Sequence, residues 1–310
     1  MPTRSIAVAF LFVALSLSAT LRAAAQQKPL TRVFVAGTEE RYQVTAVIRV
    51  ETHGVSTEKI GEKTYAGFYT HQAEGNVSWR ATHRVSDVHP DGSASIQETL
   101  DQFHANCDKD PADKMFSASL QKSVQDTCAT WRDVAPMTYD EEKLGLIRGL
   151  PISAGMPSEV DSSLLSLWLR RAFRPSVILP ATPILFGTPT VHKIANSSND
   201  ENKPHGEELT EWLEAAGDNP AATLHVSQNL SWIDPPIKGS FQNAAEKPSM
   251  RQLFYADSLN TISLLDGSLI KAARSATRET KQLLDPVPGL PEPPEFGSKL
   301  TVTVTILRLP

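Results

Sequence analysis

Apolar and polar residues alternate along much of this chain, most clearly over residues 76–103. Every second residue of the first half belongs to an apolar or aromatic row, which comprises Val77, Trp79, Ala81, His83 and Val85. A period of two is typical of a β-strand with one buried face. Pro90, Asp91 and Gly92 then supply residues that favour a tight turn. The row mostly resumes at Ala94, Ile96, Glu98 and Leu100. The stretch therefore predicts an antiparallel hairpin.

The same alternation occurs near both ends of the chain. Residues 40–52 and 63–73 predict two strands, and residues 299–309 predict the most regular strand of all. Its apolar row consists of Leu300, Val302, Val304 and Ile306, which alternate with threonines. Burying each of these side chains is worth about 1.5–3 kcal/mol, which a lone strand could not achieve. We therefore expect strand 299–309 to pair with strand 40–52.

Two further extended regions are indicated in the second half of the chain. Asp266 and Gly267 separate the apolar stretches 260–265 and 268–278, and Asp-Gly is a preferred two-residue hairpin turn. Residues 177–186 are apolar but contain two prolines, so they are interpreted as an extended edge segment.

Helical spacing of apolar residues is confined to the middle of the chain. Residues 112–125 and 157–173 place apolar side chains three or four residues apart, which predicts two helices. A short helix containing Trp212 is expected after a polar loop. The helix 157–173 has a broad apolar stripe, which includes Leu164, Leu165 and Trp168. A stripe of this width normally faces a core, and these three are the candidate ligand-facing residues.

These elements predict an α+β fold. Residues 31–103 and 222–309 are expected to form a strongly curved antiparallel sheet, or incomplete barrel. The central segment 106–190 would supply helices, with helix 157–173 packed on the concave face. We expect residues 26–310 to form a single β-rich domain with an inserted helical segment, in preference to two domains.

Residues 1–25 have the layout of a secretory signal peptide. Arg4 precedes an apolar run, and three alanines at 23–25 match a small-x-small cleavage pattern. An uncleaved anchor is the alternative, which Arg22 disfavours. Cleavage leaves 28 basic residues against 35 acidic ones, a net charge of −7. The mature chain is therefore expected to be periplasmic or extracellular, without a transmembrane span, and without the basic surface that nucleic acid requires.

Cys107 and Cys128 are the only two cysteines. An even number of cysteines in an exported chain favours a disulfide. Closing a loop of about 20 residues would stabilise the fold by about 3 kcal/mol in the chain-entropy model. A catalytic thiol beside His104 is the alternative.

Metal-binding patterns are absent from the sequence. Asp108, Asp110 and Asp113 lack the glycine and glutamate that an EF-type calcium loop needs at fixed positions. No pair of histidines has the helical spacing of a zinc hydrolase. His71 and His83 are expected on adjacent strands as a hydrogen-bonded pair and not as metal ligands. We therefore predict neither a metal nor a cofactor.

The layout of the chain resembles two groups of exported bacterial proteins. A signal peptide precedes a β-meander whose hairpin has a Val-x-x-Val-x-x-Asp-Gly pattern from Val85 to Gly92, followed by a helical middle and a closing β-segment. This arrangement is similar to that of uncharacterised exported β-rich proteins and of periplasmic lipoprotein carriers, whose curved sheet wraps around helices. The resemblance implies a fold and assigns no functional residue.

Three functions remain open at this point. The first is a non-enzymatic exported protein that binds an apolar small molecule or an envelope protein between sheet and helix. The second is a hydrolase built from His83 or His104 and a carboxylate. Its site would have to be dispersed along the chain, because serine-nucleophile, phosphate-loop and dinucleotide motifs are all missing. The third is a structural component of the envelope.

Overall fold

The described residues form one antiparallel sheet of eleven strands. The computed structural model describes residues 28–60, 63–108, 118, 122, 137–149, 168–169, 171–194, 201–214, 220–234, 250–282 and 296–310. In chain order the strands are β1 (Glu39–Ile60), β2 (Lys63–Val88), β3 (Ala94–Asp108), β4 (Met137–Glu141), β5 (Ile147–Arg148), β6 (Thr190–Ile194), β7 (His205–Glu214), β8 (Ala221–Asp234), β9 (Met250–Ser263), β10 (Leu269–Gln282) and β11 (Phe296–Arg308).

The strand order is β5-β4-β3-β2-β1-β11-β10-β9-β8-β7-β6. Successive strands from β1 to β5 therefore extend the sheet in one direction, and β6 to β11 return towards its centre. Nearly all neighbours in the sheet are neighbours in sequence. The exception is β11, which lies between β1 and β10 and joins the two halves.

The predicted pairing of the first long strand with the last is confirmed. β1 and β11 pair in register from Tyr42 opposite Arg308 to His53 opposite Gly297. β11 also pairs along its other edge with β10. The backbone of the last strand therefore forms hydrogen bonds on both sides, which satisfies its buried N–H and C=O groups.

The predicted α+β class is wrong, because the described part of the chain is all-β. The segment 106–190 contributes β4 and β5, and the helix expected around Trp212 is strand β7. Helical geometry among the described residues is limited to 118, 122, 168–169 and 171–172. Pairing with an existing sheet edge satisfies the backbone groups of β7 and leaves Trp212 only 4% exposed. These tertiary gains outweigh a weak local preference.

Both predicted hairpin turns are confirmed. Gly92 has a φ of 79° in the turn between β2 and β3, where the His89 N–H donates to the Ser93 carbonyl at 2.8 Å. Gly267 has a φ of 68° between β9 and β10, and its N–H donates to the Ser263 carbonyl at 2.9 Å. Glycine occupies these positive-φ positions without the steric cost of a Cβ atom.

One face of the sheet is apolar and buried, and we call it the inner face. The predicted rows lie on it as expected, and Tyr42, Val44, Val304 and Ile306 are completely buried. The main cluster of the inner face is formed by β1, β2, β8, β9, β10 and β11. The threonines of β11 alternate with this row and point to the opposite, outer face.

Two irregular segments cover the inner face. Residues 28–38 place Phe34 against β2, β3 and β4. Residues 168–186 place Leu169 and Ala172 in the main cluster, and Leu179 and Ile184 against β7, β8 and β9. The stretch 177–186 is irregular and packs across the sheet, so the edge position predicted for it is wrong. We call residues 168–186 the covering segment.

Some predicted features lie outside the described residues. They are the signal peptide at 1–25, Cys128, Leu164, Leu165 and most of the predicted helices 112–125 and 157–173. The partner of Cys128 in the predicted disulfide, Cys107, lies near the end of β3. Within the described ranges, no helix is both long and apolar enough to span a membrane.

Candidate functional site

The covering segment meets the sheet through an aromatic group centred on Trp79. Phe173 lies edge-on to Trp79 with ring centroids 5.6 Å apart, and Phe103 stacks on it at 6.3 Å. Trp168, the described member of the candidate ligand-facing set, is half-buried against the same cluster. The prediction that this stretch packs on the apolar sheet face is correct for Trp168.

A β-bulge explains why Phe103 faces inward. Gln102 has a φ of 52°, and the pairing of β2 with β3 shifts between Ser78 and Arg80. A bulge adds one residue and reverses the alternation of side chains beyond it. Phe103 and Ala105 therefore continue the inner row. His104, which lies between them, is exposed on the outer face, whereas His83 is on the inner face.

Arg274 fastens the covering segment to the centre of the sheet. Its Nη1 donates to the carbonyl oxygens of Arg171, Ala172 and Arg174 at 3.0, 3.0 and 2.9 Å. Its Nη2 donates to the Ser176 carbonyl at 2.8 Å. Burial lowers the pKa of the Arg274 guanidinium to about 10, so it remains a cation near neutral pH. The helical turn thus ends beside the buried guanidinium of Arg274, which donates hydrogen bonds to carbonyl oxygens that have no partner within the turn.

Arg174 fastens the same segment to the other half of the sheet. Its Nη1 donates to Glu98 Oε1 at 2.6 Å, and its guanidinium lies 5.5 Å from the centre of the Tyr139 ring. The second oxygen of Glu98 is 2.6 Å from His83 Nε2. The Tyr139 hydroxyl lies 3.4 Å from both His83 Nε2 and that oxygen. We call His83, Glu98, Tyr139 and Arg174 the inner polar cluster.

The charges of the inner polar cluster determine how its groups ionise. Burial raises the pKa of Glu98, but the charge of Arg174 and the hydrogen bond with His83 outweigh burial and hold it at about 2. Burial and the charge of Glu98 raise the pKa of Tyr139 well above 10.0. Glu98 is therefore a carboxylate and Tyr139 a neutral phenol at neutral pH.

A second buried network lies beside the first. Arg32 Nη2 donates to Glu40 at 3.2 Å, and Arg32 Nε lies 3.5 Å from Glu141. The Tyr42 hydroxyl also donates to Glu40 at 2.8 Å. Burial raises the pKa of Glu141, whereas the charge of Arg32 and the Tyr42 hydrogen bond lower that of Glu40 despite its burial. This network joins the segment 28–38 to β1 and β4.

The inner polar cluster does not have the arrangement of a hydrolase site. His83 and Glu98 are 4% and 2% exposed, so substrate cannot reach them in this conformation. Both Glu98 oxygens already bind protein groups. The neighbouring hydroxyl belongs to Tyr139, whose raised pKa disfavours nucleophilic attack. His104 faces away from this cluster.

The remaining histidine and metal predictions can also be placed. His71 and His83 both lie on β2, so the expected pair across two adjacent strands is wrong. No group of three or more potential metal-ligating side chains occurs among the described residues. His205 and Glu207, which precede the predicted helix around Trp212, belong to β7.

The apolar inner row extends beyond the fully buried core. Along β1, exposure is 0% at Val44 and 1% at Ala46, but Ile48 is only half-buried. On β11, Leu300 is likewise half-buried, whereas Val302 is 2% exposed. The covered part of the sheet therefore continues into accessible apolar positions on β1 and β11, beside Arg278 of β10, which lies opposite Leu300 and donates to Gln252.

Sequence reasoning missed most of the polar residues on the inner face. Glu98 interrupts an otherwise apolar row of the predicted strand. A carboxylate on a buried face needs a partner, so this position indicated a buried ion pair or hydrogen bond. Arg174 follows the predicted helix 157–173, where a cation favours the helix dipole, and no local pattern identifies Glu98 as its partner. Arg274 lies in a predicted strand without any feature that identifies its contacts. Glu98 and Arg174 are 76 residues apart, and Arg274 binds carbonyls 98 to 103 residues away.

Comparison with known proteins does not assign the chain to a family. No protein-family model matches it, and no curated protein is significantly similar in sequence.

Proposed function

We propose that this protein is an exported, non-enzymatic binding protein that holds an apolar small molecule between the inner face of the sheet and the covering segment. The observation that carries the proposal is the accessible continuation of the apolar inner row at Ile48 and Leu300. An apolar pocket wall with few polar groups is the usual surface for such a ligand. Export rests on the signal-like layout of residues 1–25.

The attachment of the covering segment supports this function. Arg274 of β10 binds carbonyl oxygens of the covering segment, and Glu98 of β3 binds the guanidinium of Arg174 in that segment. The segment is therefore attached to the sheet at two separate points. The half-buried Trp168 directly precedes that fixed turn. A ligand that extends along Ile48 and Leu300 would therefore meet a surface whose position is already set, which reduces the entropic cost of binding.

Titration with cis-parinaric acid, a naturally fluorescent fatty acid, tests the proposal. We expect saturable binding that Ile48→Gln weakens about tenfold, since a buried amide without partners costs about 1–3 kcal/mol. Val47→Gln is the matched control, because Val47 is the adjacent half-buried residue on the opposite face. Thermal melts of both variants would establish that they fold.

Two results would count against this function. One is the absence of saturable binding to the wild-type protein. The other is an equal loss of affinity in Ile48→Gln and Val47→Gln, which would mean that the probe does not use the inner face.

A further inference from the structure

The outer face of the sheet carries a groove on the side opposite the proposed apolar site. It has a volume of about 400 Å³ and lies across β6 to β10. Its lining includes the small hydroxyl residues Ser227, Ser275 and Thr277 and the aromatic residue Tyr255. A volume of this size is within the range of pockets for small organic ligands.

Strand register explains how the groove forms. One transverse row runs from Leu209 through Ser227 and Asp257 to Ser275 on four successive strands. Because adjacent strands lie about 4.8 Å apart, such a row is elongated across the sheet. Serines in the row leave space between the larger side chains on either side.

The second row supplies the aromatic and amide groups. Glu207, Asn229, Tyr255 and Thr277 occupy matching positions on β7, β8, β9 and β10. Tyr255 is 41% exposed although it is a large aromatic residue in the middle of a long strand. An exposed ring beside hydroxyl and amide groups offers both an apolar stacking surface and hydrogen bonds.

The charges around the groove restrict which ligands it can bind. Glu207 and Asp257 line it, and no lysine or arginine does so among the described residues. An anionic ligand such as a phosphate would therefore be repelled. Asp257 is oriented by His225, whose Nε2 lies 2.7 Å from Oδ1, yet its side chain remains 53% exposed. One carboxylate is thus positioned and still accessible to a ligand.

We propose that this outer groove binds a neutral saccharide. A sugar ring has a C–H face that stacks on an aromatic side chain, and its hydroxyls both donate and accept hydrogen bonds. Tyr255 offers the ring, while Ser227, Ser275 and Asn229 offer groups that can donate or accept. Asp257 accepts from ligand hydroxyls without needing a cation. This proposal does not depend on the apolar site, because the two surfaces lie on opposite faces and share no residue.

Binding to an array of neutral oligosaccharides, with β-glucan, α-glucan, mannan and chitin fragments, tests the proposal. The strongest neutral binder is then titrated by calorimetry. We expect Tyr255→Ala to weaken its binding at least tenfold and Tyr255→Phe to keep most of it, because the ring is retained. Leu259→Ala is the matched control, since Leu259 is similarly exposed on the same face of β9 but does not line the groove.

The possible outcomes separate clearly. A loss of saccharide affinity in Tyr255→Ala, with the affinity of Leu259→Ala unchanged, supports the saccharide site. Absence of binding to every neutral glycan, or equal affinities for Tyr255→Ala and the wild type, overturns it. Tight binding of spermine in place of glycans would also overturn it, because the groove would then recognise a cationic amine. Parinaric acid binding should be unaffected by Tyr255→Ala, so failure here is distinguishable from failure of the proposed apolar site.

Discussion

Arg174 and Glu98 form a buried ion pair, with Nη1 and Oε1 2.6 Å apart, although they are separated by 76 residues in sequence. The pair joins the covering segment to β3, on the half of the sheet opposite β10. Arg274 holds the same segment from β10. The covering segment is therefore fixed between the two halves by charged hydrogen bonds as well as by apolar packing.

Glu98→Gln should lower stability and flatten its dependence on acid pH. The folded-state pKa of Glu98 is about 2 against an ordinary value of 4.5. The ionised group therefore contributes stability that is fully present above about pH 4.5 and is lost as the pH falls towards 2. The shift corresponds to about 3 kcal/mol. Urea unfolding at a series of pH values, followed by circular dichroism, measures this contribution.

Glu39→Gln is the control for that experiment, because Glu39 is exposed and pairs only with an exposed arginine. It should leave the pH profile close to that of the wild type. If Glu98→Gln had the wild-type slope between pH 4.5 and 2, the ion pair would not determine the acid sensitivity of this protein.

Arg274→Met should destabilise the protein by about 3–5 kcal/mol. The substitution leaves four carbonyls of the covering segment and the Asn260 side chain without their donor. Hydrogen exchange of residues 171–186 should accelerate more than that of β11. Lys271→Met, at an exposed position of the same strand, should change the free energy of unfolding by less than about 1 kcal/mol. Equal exchange in both variants would contradict the role assigned to Arg274.

Val304→Asp should prevent folding or reduce stability by about 4 kcal/mol or more. Val304 is 0% exposed at the centre of β11, between β1 and β10, and a buried carboxylate without a partner is costly. Thr303→Asp is its control, since Thr303 is the adjacent exposed residue on the outer face. Expression yield and melting temperature compare the two, and similar losses would argue against the buried position of β11.

Gly145→Ala should be more damaging than Gly149→Ala. Both glycines have positive φ values, 76° and 78°, so each alanine would incur a similar backbone strain of about 1 kcal/mol. A Cβ at Gly145 would also overlap the carbonyl oxygen of Val177, whereas none of the surrounding atoms approaches a Cβ at Gly149. The difference between their melting temperatures measures the contact between the covering segment and the turn after β4. Identical melting temperatures would exclude that contact.

The disulfide between Cys107 and Cys128 remains a prediction from the sequence. Thiol labelling of unfolded, unreduced protein should give no signal, and labelling after reduction should modify both cysteines. Two reactive thiols per chain before reduction would rule out the bond.

The sequence by itself determined the local features of the sheet. Alternation with period two correctly predicted which residues of β2, β3 and β11 face the core, because successive side chains of a strand point to opposite faces. Gly92 and Gly267 marked the two hairpins, because a tight turn needs a positive φ that glycine adopts easily. The pairing of β1 with β11 followed from the shared period of their apolar rows, which need each other to be buried.

Only the tertiary structure decided the fold class and the inner polar cluster. The residues around Trp212 form a strand because an available sheet edge pairs with their backbone, and neither that edge nor its energy is visible in a local pattern. Glu98 and Arg174 are 76 residues apart, and the carbonyls that Arg274 binds lie 98 to 103 residues away from it. Their burial is tolerable only because those partners satisfy the charges, and that condition is met by the folded arrangement as a whole.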